Sequence, residues 1–405
     1  MTNLRNISYR SAVIIGLIFV LFGKLQGQMK SLGIFPDSIK YIPAPASVNT
    51  GKYLIGAFMC PLWNKDNRPG CWDPVKKYPE REPILGWYDE GNPEVTDWEI
   101  KYALEHGISF FNVCWYRKKG NAGKPVEEML GHWTKSLAKS HYGNDFKYCL
   151  LYVDEGKVMD GIASEDDFLN DLVPYWIENF FKKSNYLRIN GKPVFTIYRP
   201  EKFIADLGGE KKAAVAINKM RDACIKAGFP CLILCGEYHL LINKKETMYK
   251  NLGLDVAMSY HWPSFSGLMG EIAPADTTIM RMQTTCWSGL ENVTDLPSIT
   301  TVSVGWDSRP WGNTYYKSPW MLSIAEYKQL LSLAKQYMDK QATGSIPSKI
   351  LMLDNWNEFG EGHYIFPTKK EGFGYLDAIR EVFCNSPLEH KDIVPEELGF
   401  GPYEK

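Results

Sequence analysis

The chain has 405 residues, 45% hydrophobic and 23% charged, and its 46 basic residues nearly cancel its 47 acidic ones. This composition excludes a disordered or fibrous chain. Without a basic excess to neutralise phosphates, it also excludes nucleic acid as the main partner. The 13 Trp, 23 Tyr and 19 Phe serve either a large core or a cleft for a carbohydrate or other apolar-faced ligand, and their positions must decide.

Residues 1–27 read as a targeting leader. Arg5 and Arg10 precede an apolar run from Ala12 to Phe22, too short to cross about 30 Å of hydrocarbon. Export to the periplasm, the cell surface or the medium is the expectation, with an uncleaved anchor as the alternative. No later apolar run approaches a membrane span, so no stable span is expected after leader removal. Residues 28–52 form a lead-in, 53–385 a single barrel domain, and 386–405 a tail. Nine cysteines follow the leader, an odd number, so at least one is unpaired. Cys60 and Cys71 flank a Pro- and Gly-bearing loop, and an oxidising compartment would allow them to bridge. The absence of paired CxxC motifs argues against structural zinc, and neither metal nor cofactor is expected.

From residue 53 onward, short β-rich runs alternate with longer amphipathic ones. Strands are predicted at 53–63, 108–117, 147–154, 192–200, 230–238, 255–263, 299–308 and 349–360. Most are apolar throughout their middles, as strands covered on both faces must be. Helices are predicted at 96–107, starting on a Thr96 cap and stopping at Gly107, and at 126–140, 164–181, 210–228, 324–340 and 374–383. Ser164 followed by three acids is a good helix start. The segment 264–298 reads as a loop inserted after the sixth strand. Eight strand–helix units over this length predict a single (β/α)8 TIM barrel with elaborated βα loops. A doubly wound sheet is the alternative, but no G-x-G-x-x-G follows the first strand and there is no P-loop.

A barrel carries its chemistry at the C-terminal ends of its strands. Here those ends bear Trp63, Trp115, Tyr116, Asp154, Glu155, Tyr198, Glu237, Tyr260, His261, Trp262, Trp306, Asp307, Arg309, Asp354, Asn355, Trp356 and Asn357. Aromatics beside carboxylates and amides suit a sugar, which offers C–H faces to rings and hydroxyls to polar groups. Capping of the core is the competing reading. Asp89 and Glu90 line the mouth or form an exposed turn. Glu237 and His239 are a weak metal pair. The sharpest segment is Asn357-Glu358-Phe359-Gly360-Glu361-Gly362-His363, where two carboxylates stand three residues apart. Glycosidic cleavage needs one protonated and one ionised carboxyl group, and neighbouring carboxylates push their pKa values apart.

The stretches 84–116 and 356–383, with 53–63 and 304–311, resemble the WbsX-type, family 99-like group of glycoside hydrolase-related proteins. The resemblance implies a (β/α)8 barrel whose N-E-W-x-E-G segment carries both catalytic carboxylates. Residues 357–362 match that segment, with Phe359 in place of Trp and Gly360 where true α-mannanases often carry His. It implies Glu361 as general acid and Glu358 as the base toward the sugar 2-hydroxyl, giving a 1,2-anhydro intermediate and net retention. An exported glycoside hydrolase acting on a carbohydrate substrate is therefore the expectation. A non-catalytic glycan-binding protein on the same scaffold and a glycosyltransferase of polysaccharide assembly are the alternatives.

Overall fold

Continuous apolar runs become the eight parallel strands of a ring. In this computed structural model the residues described are 41–154, 159–238, 246–262, 276–312, 319–385 and 390–404. The expected leader, Glu155 and His239 lie outside them. The strands are β1 (Leu54–Met59), β2 (Ile108–Lys118), β3 (Lys147–Val153), β4 (Lys192–Ile197), β5 (Ile233–Glu237), β6 (Val256–Met258), β7 (Thr300–Ser303) and β8 (Ile350–Asp354). Each lies within, or within a residue of, its predicted segment. Their order is β6-β5-β4-β3-β2-β1-β8-β7, every adjacent pair parallel. A parallel bridge between Ala257 and Ser298 joins β6 to the β7 side. The fold is the expected TIM barrel, contained in the unit Ala44–Lys405.

The β6/β7 seam depends on side chains, because β6 has only three residues. Thr301 Oγ1 donates to Ser259 O at 2.7 Å, and Trp262 N donates to Ser303 Oγ at 2.7 Å. The buried Gln283 amide then acts as a substitute strand edge: it donates to Ser303 O and accepts from Ser303 N, both at 2.9 Å. Gln283 belongs to a helix, Asp276–Thr294, inside the region predicted as loop. That prediction is corrected here. Ile279, Gln283, Cys286, Trp287, Leu290 and Val293 are buried at helical spacing, but a Thr-rich sequence with an internal Gly289 has low intrinsic helix propensity. Gln283→Leu is expected to leave two buried backbone groups unpaired. Urea unfolding should register a loss of about 1–3 kcal/mol for each.

The first barrel helix, Pro93–Glu105, is capped by Asn92, whose side chain accepts from Glu94 N at 3.0 Å. Thr96, the predicted cap, instead lies inside the helix with its hydroxyl on Ser136. The helix ends before Gly107, whose φ of +86° suits glycine. Ser164 caps as expected, accepting from Asp167 N at 3.1 Å. The predicted run 126–140 yields only His132–Leu137. The segment read as a tail folds back onto the barrel: Trp98 Nε1 donates to the Tyr403 hydroxyl at 2.9 Å, and Tyr403 N to Leu85 O at 3.0 Å. All nine cysteines are free, Cys60 and Cys71 among them and both buried, so the proposed bridge is not formed. No helix among the described residues is long and apolar enough to cross a membrane.

Candidate active site

β8 ends at Asp354, and the chain then turns back on itself. Asn357–Glu358 pairs antiparallel with His363–Tyr364, placing Asn357 opposite Tyr364 and Glu358 opposite His363. Phe359, Gly360, Glu361 and Gly362 form the turn. Gly362 adopts φ +68°, and a Cβ there would lie 2.7 Å from the Asp307 backbone nitrogen, so only glycine fits. At Gly360 a Cβ would fall 2.0 Å from the Trp311 ring. Trp311 thus occupies the space a larger side chain would need, which explains the glycine at a position where the resemblance implies His. Gly360→Ala is expected to cost about 1–3 kcal/mol by overpacking. A double-mutant cycle with Trp311→Ala should recover most of that loss.

The turn is propped from behind. Phe359 packs against Trp63, Trp72 and Tyr364 at centroid distances of 5.7, 5.5 and 4.8 Å. Trp63 stacks on Trp72 at 3.8 Å and donates through Nε1 to Asn357 O at 2.8 Å. The buried Arg81 donates to Phe359 O at 2.6 Å and to Asp307 O at 3.0 Å, and its guanidinium pairs with the Asp307 carboxylate. Arg81 thereby ties the loop after β7 to the hairpin.

Glu358 lies on the floor of the mouth, 5% exposed, and the Glu361 side chain is 24% exposed. Glu358 Oε1 accepts from the Tyr260 hydroxyl at 3.4 Å, while Oε2 is buried with no partner among the described residues. Burial, reinforced by Cys60 and Glu361, pushes the Glu358 carboxyl well above the usual carboxylate range. One oxygen each of Glu358 and Glu361 and a His363 nitrogen lie within 4.8 Å of one another.

His363 connects the pair to the barrel interior. Its Nε2 faces Glu361 Oε2 at 3.0 Å and its Nδ1 faces Asp354 Oδ1. The second Asp354 oxygen meets His261 Nδ1. Burial opposes charge on His363, but the Asp354 carboxylate and then Glu361 outweigh it and push the imidazole up to about 10. His363 is therefore an imidazolium at neutral pH. Burial dominates at His261 and lowers its pKa, so a neutral ring donates from Nδ1. Its Nε2 is buried without a partner among the described residues.

The other predicted residues divide sharply. Tyr116, Tyr198, Tyr260, His261 and Trp306 gather around the carboxylates: the Tyr116 hydroxyl lies 3.1 Å from Cys60 Sγ. Tyr198 meets Tyr260 edge-on at 5.6 Å, and Trp306 lies 4.8 Å from the His363 ring and 4.6 Å from that of His261. Trp115 points the other way, because successive strand residues face opposite sides; it packs on Tyr152 and Trp176 under the helix layer. Trp356 is likewise buried against Phe111 and Phe366, with its Nε1 3.3 Å from Glu99. Neither reaches the mouth, so their assignment to substrate binding is corrected.

Trp63, Glu90 and Asn357 form the supporting wall instead. Glu90 accepts from Asn357 Nδ2 at 2.6 Å and from Trp63 N at 2.9 Å, and Asn357 Oδ1 accepts from Cys60 N at 3.0 Å. Asp89 organises a turn, accepting from Asn64 Nδ2 and Gly91 N at 2.7 Å. It lines a separate cavity of about 550 Å³ with Asn92 and Tyr403. Glu237 is buried, with its Oε1 3.3 Å from Tyr260 N, and Trp262 is also buried. Arg309 is exposed and bonds Asp307 through Nε at 2.7 Å. Sequence reasoning missed Cys60 and Arg81 as site residues, and it placed Asp354 at the strand end and His363 in the carboxylate segment without giving either a role. Asp354, at the end of the last strand, and His363, two residues past Glu361, carried local signals; Cys60 and Arg81 join through tertiary contacts.

The family described as glycosyltransferase WbsX matches residues 76–379. An uncharacterized protein WxcX of Xanthomonas campestris pv. campestris, strain B100, is 23% identical over 333 residues. That match covers 75% of this chain and 43% of the relative, and the protein of strain ATCC 33913 matches equally. The chain thus spans under half the length of these curated relatives. Among solved structures, a glycoside hydrolase-like protein gives a TM-score of 0.60 at 18% identity, covering 86% of this chain and 98% of that one. The GH99 endo-alpha-mannosidase from Bacteroides thetaiotaomicron gives 0.54 at 14% identity, covering 83% and 97%. At these identities the likeness establishes a shared barrel fold.

Proposed function

The chain belongs to the WbsX family, and from that premise we propose that it is an exported, retaining glycoside hydrolase acting on a polysaccharide or other glycan. The observation that carries this reading is the Glu358–Glu361 pair at the C-terminal end of β8, with one oxygen of each within 4.8 Å of the other. Such closeness suits retention, since inverting pairs stand about 6.5–9.5 Å apart to admit a water. Glu361, the less buried, protonates the leaving oxygen. Glu358, on the floor, takes the proton of the sugar 2-hydroxyl. That oxygen attacks the anomeric carbon, and water later opens the 1,2-anhydro sugar with net retention.

The proton inventory adds a condition. Burial raises the Glu358 carboxyl, so Glu358 must give up its proton before it can act as the base. Glu358 Oε2 and His261 Nε2, orphaned among the described residues, are positions that sugar hydroxyls would satisfy. The rings of Tyr116, Tyr198, Tyr260 and Trp306 offer apolar faces to the sugar.

The family's description favours a second reading, transfer from a nucleotide sugar, which needs cations for the donor diphosphate. Arg81 and Arg309, the arginines beside the hairpin, both pair with Asp307, which weakens that reading. Reducing-sugar release from a polysaccharide panel, without added nucleotide, tests the proposal. Release by wild type and not by Glu361→Gln supports hydrolysis. Binding without release by either protein favours a binding protein, and turnover only with added nucleotide sugar favours transfer.

A further inference from the structure

The opposite face of the barrel carries a second cluster of metal-ligating groups. His106 follows the first barrel helix, two residues before β2, and so lies at the N-terminal end of the strands. Its ring is fully buried. Nδ1 is held by the Tyr102 carbonyl oxygen at 2.7 Å, which turns Nε2 inward. Nε2 is buried and has no hydrogen-bond partner among the described residues. Three groups from distant parts of the chain converge there. Asp392 Oδ1 lies 3.4 Å from His106 Nε2, and Asp377 Oδ1 lies 3.5 Å from it. His390 Nε2 stands 3.1 Å from the same Asp392 oxygen. The two imidazole rings meet at 84° with centroids 5.2 Å apart.

The two contacts to His106 Nε2 are long for hydrogen bonds to an imidazole, whose usual length is about 2.7–3.2 Å, whereas His390 and Asp392 are within hydrogen-bond distance of each other. The two His106 distances match edges of a coordination tetrahedron. Zinc bonds of about 2.0–2.2 Å to nitrogen and oxygen place adjacent ligands about 3.3–3.6 Å apart. A ring fixed through Nδ1 by a backbone carbonyl is also the usual outer support of a metal-bound histidine. We propose that His106 Nε2, His390 Nε2 and Asp392, whose ligand atoms lie within 4.8 Å of one another, form a site for a divalent transition cation, zinc by preference, with Asp377 3.5 Å from His106 Nε2 beside the open fourth position. Glu105 closes one side, with Oε2 3.7 Å from His390 Nε2 and Oε1 on Lys101. The site clamps residues 390–392 to the end of the first barrel helix. It is structural, at the far end of the barrel from Glu358 and Glu361. Because its ligands come from two distant segments, no motif spacing announces it.

The test uses the full chain, stripped with a chelator and re-equilibrated with zinc or cobalt(II). One equivalent of zinc is expected to stay bound through gel filtration and to raise the melting temperature. Cobalt(II) is expected to show the visible bands of a tetrahedral site. His390→Ala and Asp392→Asn alter a partly exposed segment without disturbing the barrel. Each should weaken zinc binding by about 10–100-fold or more and abolish the thermal shift, with glycan turnover unchanged. Absence of stoichiometric zinc from wild type would overturn the proposal, leaving an imidazolium held by two carboxylates. Unchanged zinc affinity in both variants would also overturn it, and loss of zinc only on His363→Ala would relocate the ion to the hairpin.

Discussion

Glu361→Gln is expected to lower kcat by about 10²–10⁴-fold, the usual contribution of a positioned acid or base, while glycan binding stays within a few-fold of wild type. Glu358→Gln should do the same, and a change of leaving group separates the two. An aryl glycoside with a good leaving group needs little protonation, so it should restore the first step in Glu361→Gln and fail to do so in Glu358→Gln. Rescue of the Glu358 variant instead would reverse the two roles. The resting proton sharpens the experiment. Burial drives the Glu358 carboxyl up, and a base acts only when ionised, so the acid limb of kcat/KM for wild type should lie above the ordinary carboxylate range. A limb in the normal carboxylate range would mean that the pair is more hydrated than its burial indicates.

Asp354→Asn should have the largest effect on stability. Asp354 is fully buried between His363 and His261. Burial by itself would raise its pKa, yet the two imidazoles hold it below the usual value. Its removal leaves the His363 imidazolium buried and facing only Glu361. Breaking a buried pair in this way costs about 3–5 kcal/mol, readable by urea unfolding at pH 6. The pH dependence follows from linkage. His363 has a folded value of about 10 against 6.5 for the free group. Its contribution is therefore complete below 6.5 and fades as pH rises toward 10. The Asp354 contribution is present above its unfolded value and fades as pH falls through the lowered folded one. Wild type should lose stability between pH 6.5 and 10, and the variant should lose most of that slope. Equal slopes in the two proteins would refute the charged His363.

Much of the architecture was legible because it depends on local chemistry. Eight apolar runs of strand length, separated by amphipathic stretches, leave few arrangements other than a barrel. Glycines at 107 and 362 mark turns, and two glutamates three apart past the last strand mark the hairpin. The helix Asp276–Thr294 was hidden because it is stabilised by packing: Gln283 and Trp287 serve the β7 edge, whereas Thr and Gly weaken the local signal.

The sequence by itself determined the barrel, the positions of its strands along the chain and the position of the carboxylate pair, because side-chain periodicity and backbone propensity act over a few residues. Tertiary structure alone decided the rest. It turned Trp115 and Trp356 away from the mouth, since strand alternation and the direction of each turn become definite only when neighbours pack. It drew Asp354, His363 and Cys60 around Glu358, and Arg81 onto the hairpin from far earlier in the chain. It also brought His106 together with His390 and Asp392. Charge and desolvation act through space, so the protonation state of each site residue depends on partners that adjacency in the chain does not name.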